Sequence, residues 1–342
     1  MLVQYKCPNC GSDMSFDSVS GTLACPSCER QDNIETFPEE NKIREFSNEE
    51  VNEYHCENCG AEIITDSDTT ATSCDFCGAP VVLADRLDGK LAPHEVIPFS
   101  INKEQAQQAF KDWCKNGRFS PKGFMTANRI KNITGMYVPF WLYDMNTRAK
   151  IRAQATKVRT YTSGDYIFTE TKHYELMRDI DLYYAQVPVD ASEKMDDALM
   201  DKLEPYHYKD LKDFKMPYLA GYVAEKYNYD ANELMPRIQE KITPYINNYI
   251  RSTMSGYTTV NRTGEQMDTE QKKSIYVLMP VWMVYYDFDN TVHTFAMNGQ
   301  TGKVVGKPPI SKWKVTRWFL SMAGGILAVF KLFTFIAGGP LW

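Results

Sequence analysis

Between residues 91 and 317 apolar positions recur first at a helical period and then at a strand period. Ala106, Ala109, Phe110 and Trp113 fall at i, i+3, i+4 and i+7, behind the capping residue Ser100 and ahead of Gly117, and predict a helix. An apolar run, 136–143, follows. Then comes strict alternation, with Ala149, Ile151, Ala153 and Ala155 set against Arg148, Lys150, Arg152, Gln154 and Thr156. That period of two predicts a half-buried strand with one basic face. Ser163-Gly164-Asp165 supplies a turn into a second strand over 166–177, so the pair reads as a hairpin.

Helical spacing returns twice. Asp190 with Glu193 has the form of a capping box ahead of Met195, Ala198, Leu199 and Leu203, with Pro205 as the stop. Asp230 with Glu233 repeats the device before Leu234, Ile238, Ile242, Tyr245, Ile246 and Tyr249. Pro236 and Pro244 predict a kink or break there. Strands are expected at 256–260 and 275–288, and Asn298-Gly299 between 293–297 and 303–305 reads as a hairpin. The segment Tyr137-Val138-Pro139-Phe140-Trp141 echoes Leu278-Met279-Pro280-Val281-Trp282 in its Pro-x-Trp core. Two related β units with the helices inserted between them are the expectation.

The pattern changes again at the C-terminus. From Trp318 to Ala337 run twenty residues with one charge, Lys331, the length a bilayer core requires. A lysine near mid-membrane costs ~2.5–3.5 kcal/mol, offset here by its apolar neighbours and by snorkelling. At 100° per residue, Ser321, Gly324, Gly325, Ala328 and Lys331 share an arc of roughly 120°. Small residues on one face admit a second helix, and a charge within the bilayer normally faces protein or water. These five residues are therefore the expected membrane-partner face. The alternatives are a buried core helix or one lying in the membrane plane.

Charge divides the 342 residues into thirds. Residues 1–90 hold 6 basic and 18 acidic side chains, a net of −12, and residues 91–289 hold 26 of each. Residues 290–342 hold 6 basic side chains and no acid; Lys303, Lys307, Lys312, Lys314 and Arg317 lie just ahead of the apolar tail. The positive-inside tendency places that stretch on the cytoplasmic side, against anionic headgroups.

Eight of the nine cysteines form four Cys-x-x-Cys pairs: Cys7/Cys10, Cys25/Cys28, Cys56/Cys59 and Cys74/Cys77. Adding 49 to each position of the first four gives the second four, so the motif is duplicated. Two residues between ligands let one tight knuckle present two sulfurs to a tetrahedral ion, and fourteen residues between pairs leave room for a hairpin that returns the second knuckle. Two zinc ions are expected. A rubredoxin-like iron site uses the same Cys7-Pro8-Asn9-Cys10-Gly11 knuckle and stands as the alternative. Disulfides fit poorly with a start that shows no leader segment.

Zinc ribbons often hold nucleic acid, but a −12 segment is repelled by phosphates. The acidic linker (Glu35, Glu39, Glu40, Glu45, Glu49, Glu50, Glu53) reads as a solvated spacer or as a dock for a basic partner. No His-x-x-x-His pair, Gly-x-Ser-x-Gly elbow, P-loop or dinucleotide glycine fingerprint occurs, so no enzyme is expected.

The expected architecture is α+β: a zinc ribbon over 1–34, an acidic linker over 35–53 and a second ribbon over 54–88. A mixed α+β domain with duplicated β units over 89–310 follows, then a basic stretch over 311–317 and one transmembrane helix over 318–338. The tandem ribbons CPNCGSDM…CPSC and CENCGAEI…CDFCGAP are followed by GMYVPFWLYD, LMPVWMVYY…MNGQTGKVVG and an apolar tail. In these motifs the chain resembles the bacterial transcription-factor-IIB-type zinc-ribbon membrane proteins of phage-shock and membrane-stress operons, over nearly its whole length. The resemblance implies the eight cysteines as zinc ligands and no catalytic residue. It also implies a single-pass, cytoplasm-facing adaptor in the cell membrane. The partners it implies are phage-shock protein A-like and flotillin-like scaffold proteins and a membrane protein. A nucleic-acid-binding regulator is the second reading.

Overall fold

Three strands of unusual length carry the molecule: Ile133–Ser163, Tyr166–Asp190 and Thr259–Phe288, of 31, 25 and 30 residues. In this computed structural model the described residues are 2–36, 53–56, 62–65, 69–74, 79–83, 92–115, 119–121, 133–288, 291–308 and 310–336. Four α-helices lie among them: α1 (Lys103–Lys115), α2 (Asp197–Leu203), α3 (Met235–Thr253) and α4 (Lys312–Ile336).

The Ile133–Ser163 strand lies in the middle, antiparallel to both of its long neighbours. It joins into one strand the apolar run and the alternating stretch that the sequence presents in succession. Likewise 256–260 and 275–288, expected as two strands, belong to one. The polar stretch between them stays extended by its ladder to the Ile133–Ser163 strand, and cross-strand charges on the solvent face complement one another. Arg148 stands opposite Asp181 on one side and Asp268 on the other, and Lys150 stands opposite Asp179. Such pairs contribute roughly 0.2–1 kcal/mol each. The expected basic face is thus flanked by acids. From Met145 to Ser163 the sheet forms a blade, three strands wide as far as Thr156 and two strands wide beyond it, that at ~3.3 Å per residue projects about 60 Å.

Helix α3 covers the blade's other face. Ile238, Ile242, Ile246 and Ile250, each one turn from the last, are buried against Ala149, Ile151, Ala153 and Ala155 together with Leu176 and Ile180. The run of alanines brings the helix close to the sheet. Pro244 does not break α3 as the sequence predicts. It lies on the exposed side, where water can serve the carbonyl left without its N–H donor.

Two capping expectations need correction. Asp190 and Glu193 form no box; α2 begins later, at Asp196, whose carboxylate accepts from Leu199 N at 2.7 Å. Asp190 instead ends a strand and is buried. For α1 the cap is Asn102 rather than Ser100. Asn102 N donates to Gln105 Oε1 at 2.9 Å, and Gln105 N donates to Asn102 Oδ1 at 2.8 Å. Asp230 and Glu233 do bond reciprocally, but around a turn just ahead of α3. Gly117 lies outside the described residues.

The two Pro-x-Trp segments lie against each other. Tyr137 is opposite Pro280, Pro139 is opposite Leu278, and Val138 faces Met279 at the centre. Each is flanked by a short parallel strand at the matching position: Val223–Ala224 beside Met136–Tyr137, and Glu95–Val96 beside Val277–Leu278. The order strand, helix, long strand, antiparallel strand therefore occurs twice. It runs once from Glu95 through α1 to Asp190, and again from Val223 through α3 to Asn298. Of the helices expected between the two units, α2 lies between them and α3 sits inside the second.

The N-terminal ribbon segment packs onto this body. Met14, Phe16, Leu23 and Ile34 are buried in one cluster with Phe99, Tyr137, Tyr218 and Tyr222. The Thr69–Ser73 and Pro80–Leu83 hairpin extends the main sheet through Ala71 opposite Ala224. Its outer edge is taken by Leu2–Val3 from the chain's start. Most of the acidic linker, 37–52, lies outside the described residues. Glu35 does not, and it bonds Lys215 Nζ at 2.6 Å.

The tail helix α4 starts at Lys312, so the basic stretch forms its first turns. Over Lys312–Phe333, 22 residues, it is long and apolar enough to cross a membrane, with none of it buried against the body. Its base is tied down. Ser311 N donates to Phe119 O at 2.8 Å, Lys314 Nζ to Ser120 O at 2.7 Å, and Phe119 packs edge-on to Trp318. Residues 337 and 338 of the expected span lie outside the described residues.

Candidate metal centre

Two reverse turns bring four sulfurs together. In the first, Gly11 N donates to Cys7 O at 2.8 Å and Cys7 N to Ser12 O at 2.8 Å; in the second, Glu29 N donates to Cys25 O and Cys25 N to Arg30 O. The residue after each second cysteine, Gly11 and Glu29, has φ of 76° and 58°. Left-handed backbone is what curls the knuckle so that both thiols face one point, and at Glu29 it is held by a side chain that disfavours it. The hairpin Ser15–Asp17/Thr22–Ala24 between the turns returns the second knuckle to the first.

The Sγ atoms of Cys7, Cys10, Cys25 and Cys28 all lie within 4.8 Å of one another. Cys7 to Cys28 and Cys10 to Cys25 are each 3.5 Å. A tetrahedron with metal–sulfur bonds of ~2.3 Å has edges of about 3.8 Å, so the four thiols fit one zinc ion. Four thiolates leave no open coordination position, which suits a structural metal and not one that activates a substrate.

Neighbouring donors already favour thiolates. The Ser12 hydroxyl and amide hold Cys10 down at about 6, and the Arg30 amide lowers Cys28. Burial pushes Cys25 the other way, to about 11, so that ligand needs a bound cation to lose its proton. These second-layer groups carry no signal in the cysteine spacing.

Of the second expected set, Cys56 and Cys74 are buried together against Ala79, Val81 and Leu83. Gln4 Nε2 donates to Cys56 Sγ at 3.6 Å, an N–H···S contact supplied by the residue that follows the Leu2–Val3 strand. Cys59 and Cys77 lie outside the described residues. The expected membrane-partner residues Ser321, Gly324, Gly325, Ala328 and Lys331 all fall on α4, and a Cβ built on Gly324 or Gly325 meets nothing within 4 Å.

A polar cluster that the sequence reading missed joins α3 to the end of the second long strand. Arg237 bonds the buried Asp190 and also reaches Asp197 at 3.0 Å and Asp201 at 3.5 Å. Lys241 bonds Asp201 at 2.8 Å and Pro188 O at 2.7 Å. Arg237 and Lys241 are one helical turn apart, which was the only sequence cue.

Among known proteins, the chain is 60% identical over 339 residues to the uncharacterized protein YdjG of Bacillus subtilis (strain 168), covering 99% of each. No family model matches it. No solved structure matches it either.

Proposed function

Since the chain belongs to one family with YdjG, from which no activity is inherited, we propose its function from its own residues and from the resemblance that its motifs carry. It is a membrane-anchored, cytoplasm-facing adaptor, held by α4 and carrying two structural zinc ions, which recruits scaffold proteins during envelope stress. The observation that carries this reading is α4 itself, a helix of membrane length in which no residue of the span is buried, yet which is fastened at its base to the folded body. An exposed helix of this kind needs either lipid or other helices around it.

The second zinc ion would be held by Cys56, Cys59, Cys74 and Cys77. Its support is the 49-residue repeat and the shared burial of Cys56 and Cys74. The partners are of the phage-shock protein A-like and flotillin-like scaffold classes, with a membrane protein packed on the small-residue face of α4. The two strand–helix–strand–strand units descend from one duplicated ancestor. The matched parallel strands at 136–137 and 277–278 support that reading.

A nucleic-acid-binding regulator is the second reading, and the −12 charge of residues 1–90 weighs against it. The test is capture by the full chain from detergent-solubilised membranes, beside a variant with Glu39, Glu40, Glu45, Glu49 and Glu50 changed to Gln. Scaffold proteins recovered by the first and lost by the second support the adaptor. Recovery of nucleic acid alone, with a steep salt dependence, favours the regulator.

A further inference from the structure

Large exposed apolar side chains concentrate in two places among the described residues: along α4 and at the far end of the blade. The second place has no structural explanation. The third strand stops pairing at Thr259 opposite Thr156, and α3 ends at Thr253. Beyond that point, with one last bond from Val158 N to Thr258 Oγ1 at 2.9 Å, residues 157–172 form a two-stranded hairpin with open edges and, among the described residues, no helix on either face. Alone in water such a ribbon is marginal, and open edges invite a covering surface.

Its apolar residues stand on both faces. Val158 and Ile167 point to one side, 42% and 74% exposed. Tyr161, Tyr166 and Phe168 point to the other, with Tyr161 and Phe168 stacked across the strands at 5.6 Å. A protein partner laid on the ribbon covers one face, whereas a lipid headgroup layer surrounds both. Tyrosine and phenylalanine near a polar turn, here Ser163-Gly164-Asp165, are suited to that layer.

The charges agree. Arg159 lies over the Tyr161 ring at 5.8 Å, and Lys157 lies over Tyr257 at 5.1 Å and Tyr174 at 5.9 Å. Lys172 pairs with Glu170 at 3.3 Å. With Asp165 the hairpin carries three cations against two acids, and the cations sit level with the rings or just behind them. Cations at that level are drawn to an anionic leaflet.

We propose that the hairpin apex, residues 157–172, is a second membrane contact, seated in the headgroup layer of an anionic bilayer through Tyr161, Tyr166, Ile167 and Phe168. It rests on the membrane reading of α4 only for access to lipid. The test is hydrogen exchange on the full chain in detergent, in neutral phosphatidylcholine nanodiscs and in nanodiscs containing phosphatidylglycerol. Amides of 157–172 should exchange about tenfold more slowly on the anionic discs than in the other two. The variants Tyr161→Ser/Phe168→Ser and Ile167→Ser should lose that protection while α4 stays protected.

Equal exchange in all three settings overturns the proposal. So does protection in detergent that rises with protein concentration, which would mean that a second copy covers the hairpin. Should the chain fail to enter nanodiscs, the anchor reading fails, and the same variants are compared by sedimentation with phosphatidylglycerol vesicles. Binding lost in the variants then upholds the hairpin contact, and binding unchanged or absent overturns it.

Discussion

Trp141 and Trp282 each donate the indole N–H, at 3.0 Å, to a carbonyl of the opposite half of the molecule: Trp141 to Tyr229 O and Trp282 to Ile101 O. The main chain repeats the exchange. Ala191 O accepts from Asn228 N at 2.8 Å, and Gly299 O accepts from Ser100 N at 3.0 Å. Each half therefore closes only against the other. Trp282→Phe should cost about 1–3 kcal/mol, because the part-buried Ile101 carbonyl loses its donor, and Trp141→Phe about 0.5–1.5 kcal/mol, because water can reach the exposed Tyr229 carbonyl. The two tryptophans share no partner, so the double variant should be additive within about 0.5 kcal/mol. Urea unfolding of the full chain in detergent measures this, and a loss at only one tryptophan would contradict a reciprocal role.

The Pro-x-Trp echo was legible because a side chain with a fixed hydrogen bond leaves a sequence trace. The cysteine knuckles were legible for the same reason, since tetrahedral coordination dictates spacing. What was not legible depended on partners distant in sequence. The polar run 261–274 has no strand pattern of its own and is held extended by pairing with the Ile133–Ser163 strand, where Arg148 stands opposite Asp268. Asp190 with Glu193 matched a local rule, yet Arg237, 47 positions on, claimed the aspartate. Nor does any local signal place Leu2–Val3 on the second cysteine segment, because two residues carry no period.

Elemental analysis of the purified chain should find two zinc ions, and Cys25→Ser should leave one. Each set supplies its own four thiolates, so loss of the first need not release the second. The Cys25→Ser chain should also unfold at lower urea, since Met14 and Phe16 pack into the cluster of Tyr218 and Tyr222. Iron in place of zinc, or fewer than about 1.5 metal ions per wild-type chain, would remove the structural-zinc reading.

Glu29 holds a left-handed turn at φ 58° where the first knuckle has Gly11. Glu29→Gly should therefore be neutral or stabilising by up to about 1 kcal/mol, read as tighter zinc retention against a chelator. Gly11→Ala should do the opposite by a similar amount.

On α4, Gly325→Leu or Lys331→Leu should weaken co-purification of a membrane partner and leave membrane attachment intact. Apolar length is unchanged or increased by either substitution, whereas close helix approach is lost. If neither change affects the complex, the helix serves as an anchor alone.

The residue between proline and tryptophan in each motif faces a buried polar residue: Phe140 faces Asp190, and Val281 faces Asn298. Asn298 needs no charge. It donates to Leu203 O at 3.0 Å and accepts from Gln300 N and Thr301 N at 2.9 Å. Asp190 has Arg237 on Oδ1, but its buried Oδ2 has no hydrogen-bond donor, and Asp197 and Asp201 crowd the same guanidinium. Burial pushes the Asp190 carboxyl up to about 6 against the opposing pull of Arg237. The folded chain thus holds this proton more tightly than the unfolded chain does, so stability falls as pH rises from about 4 to about 6. A shift of that size amounts to about 2–3 kcal/mol once the pH is above both values. Asp190→Asn should remove this part of the slope, while Arg237 keeps Asp197 and Asp201 as partners. Urea midpoints for wild type and variant between pH 5 and 7, taken as a difference so that zinc loss cancels, should converge toward the acid end and separate in the variant's favour near neutrality. Parallel profiles would show that Asp190 remains ionised throughout and that Arg237 outweighs its burial.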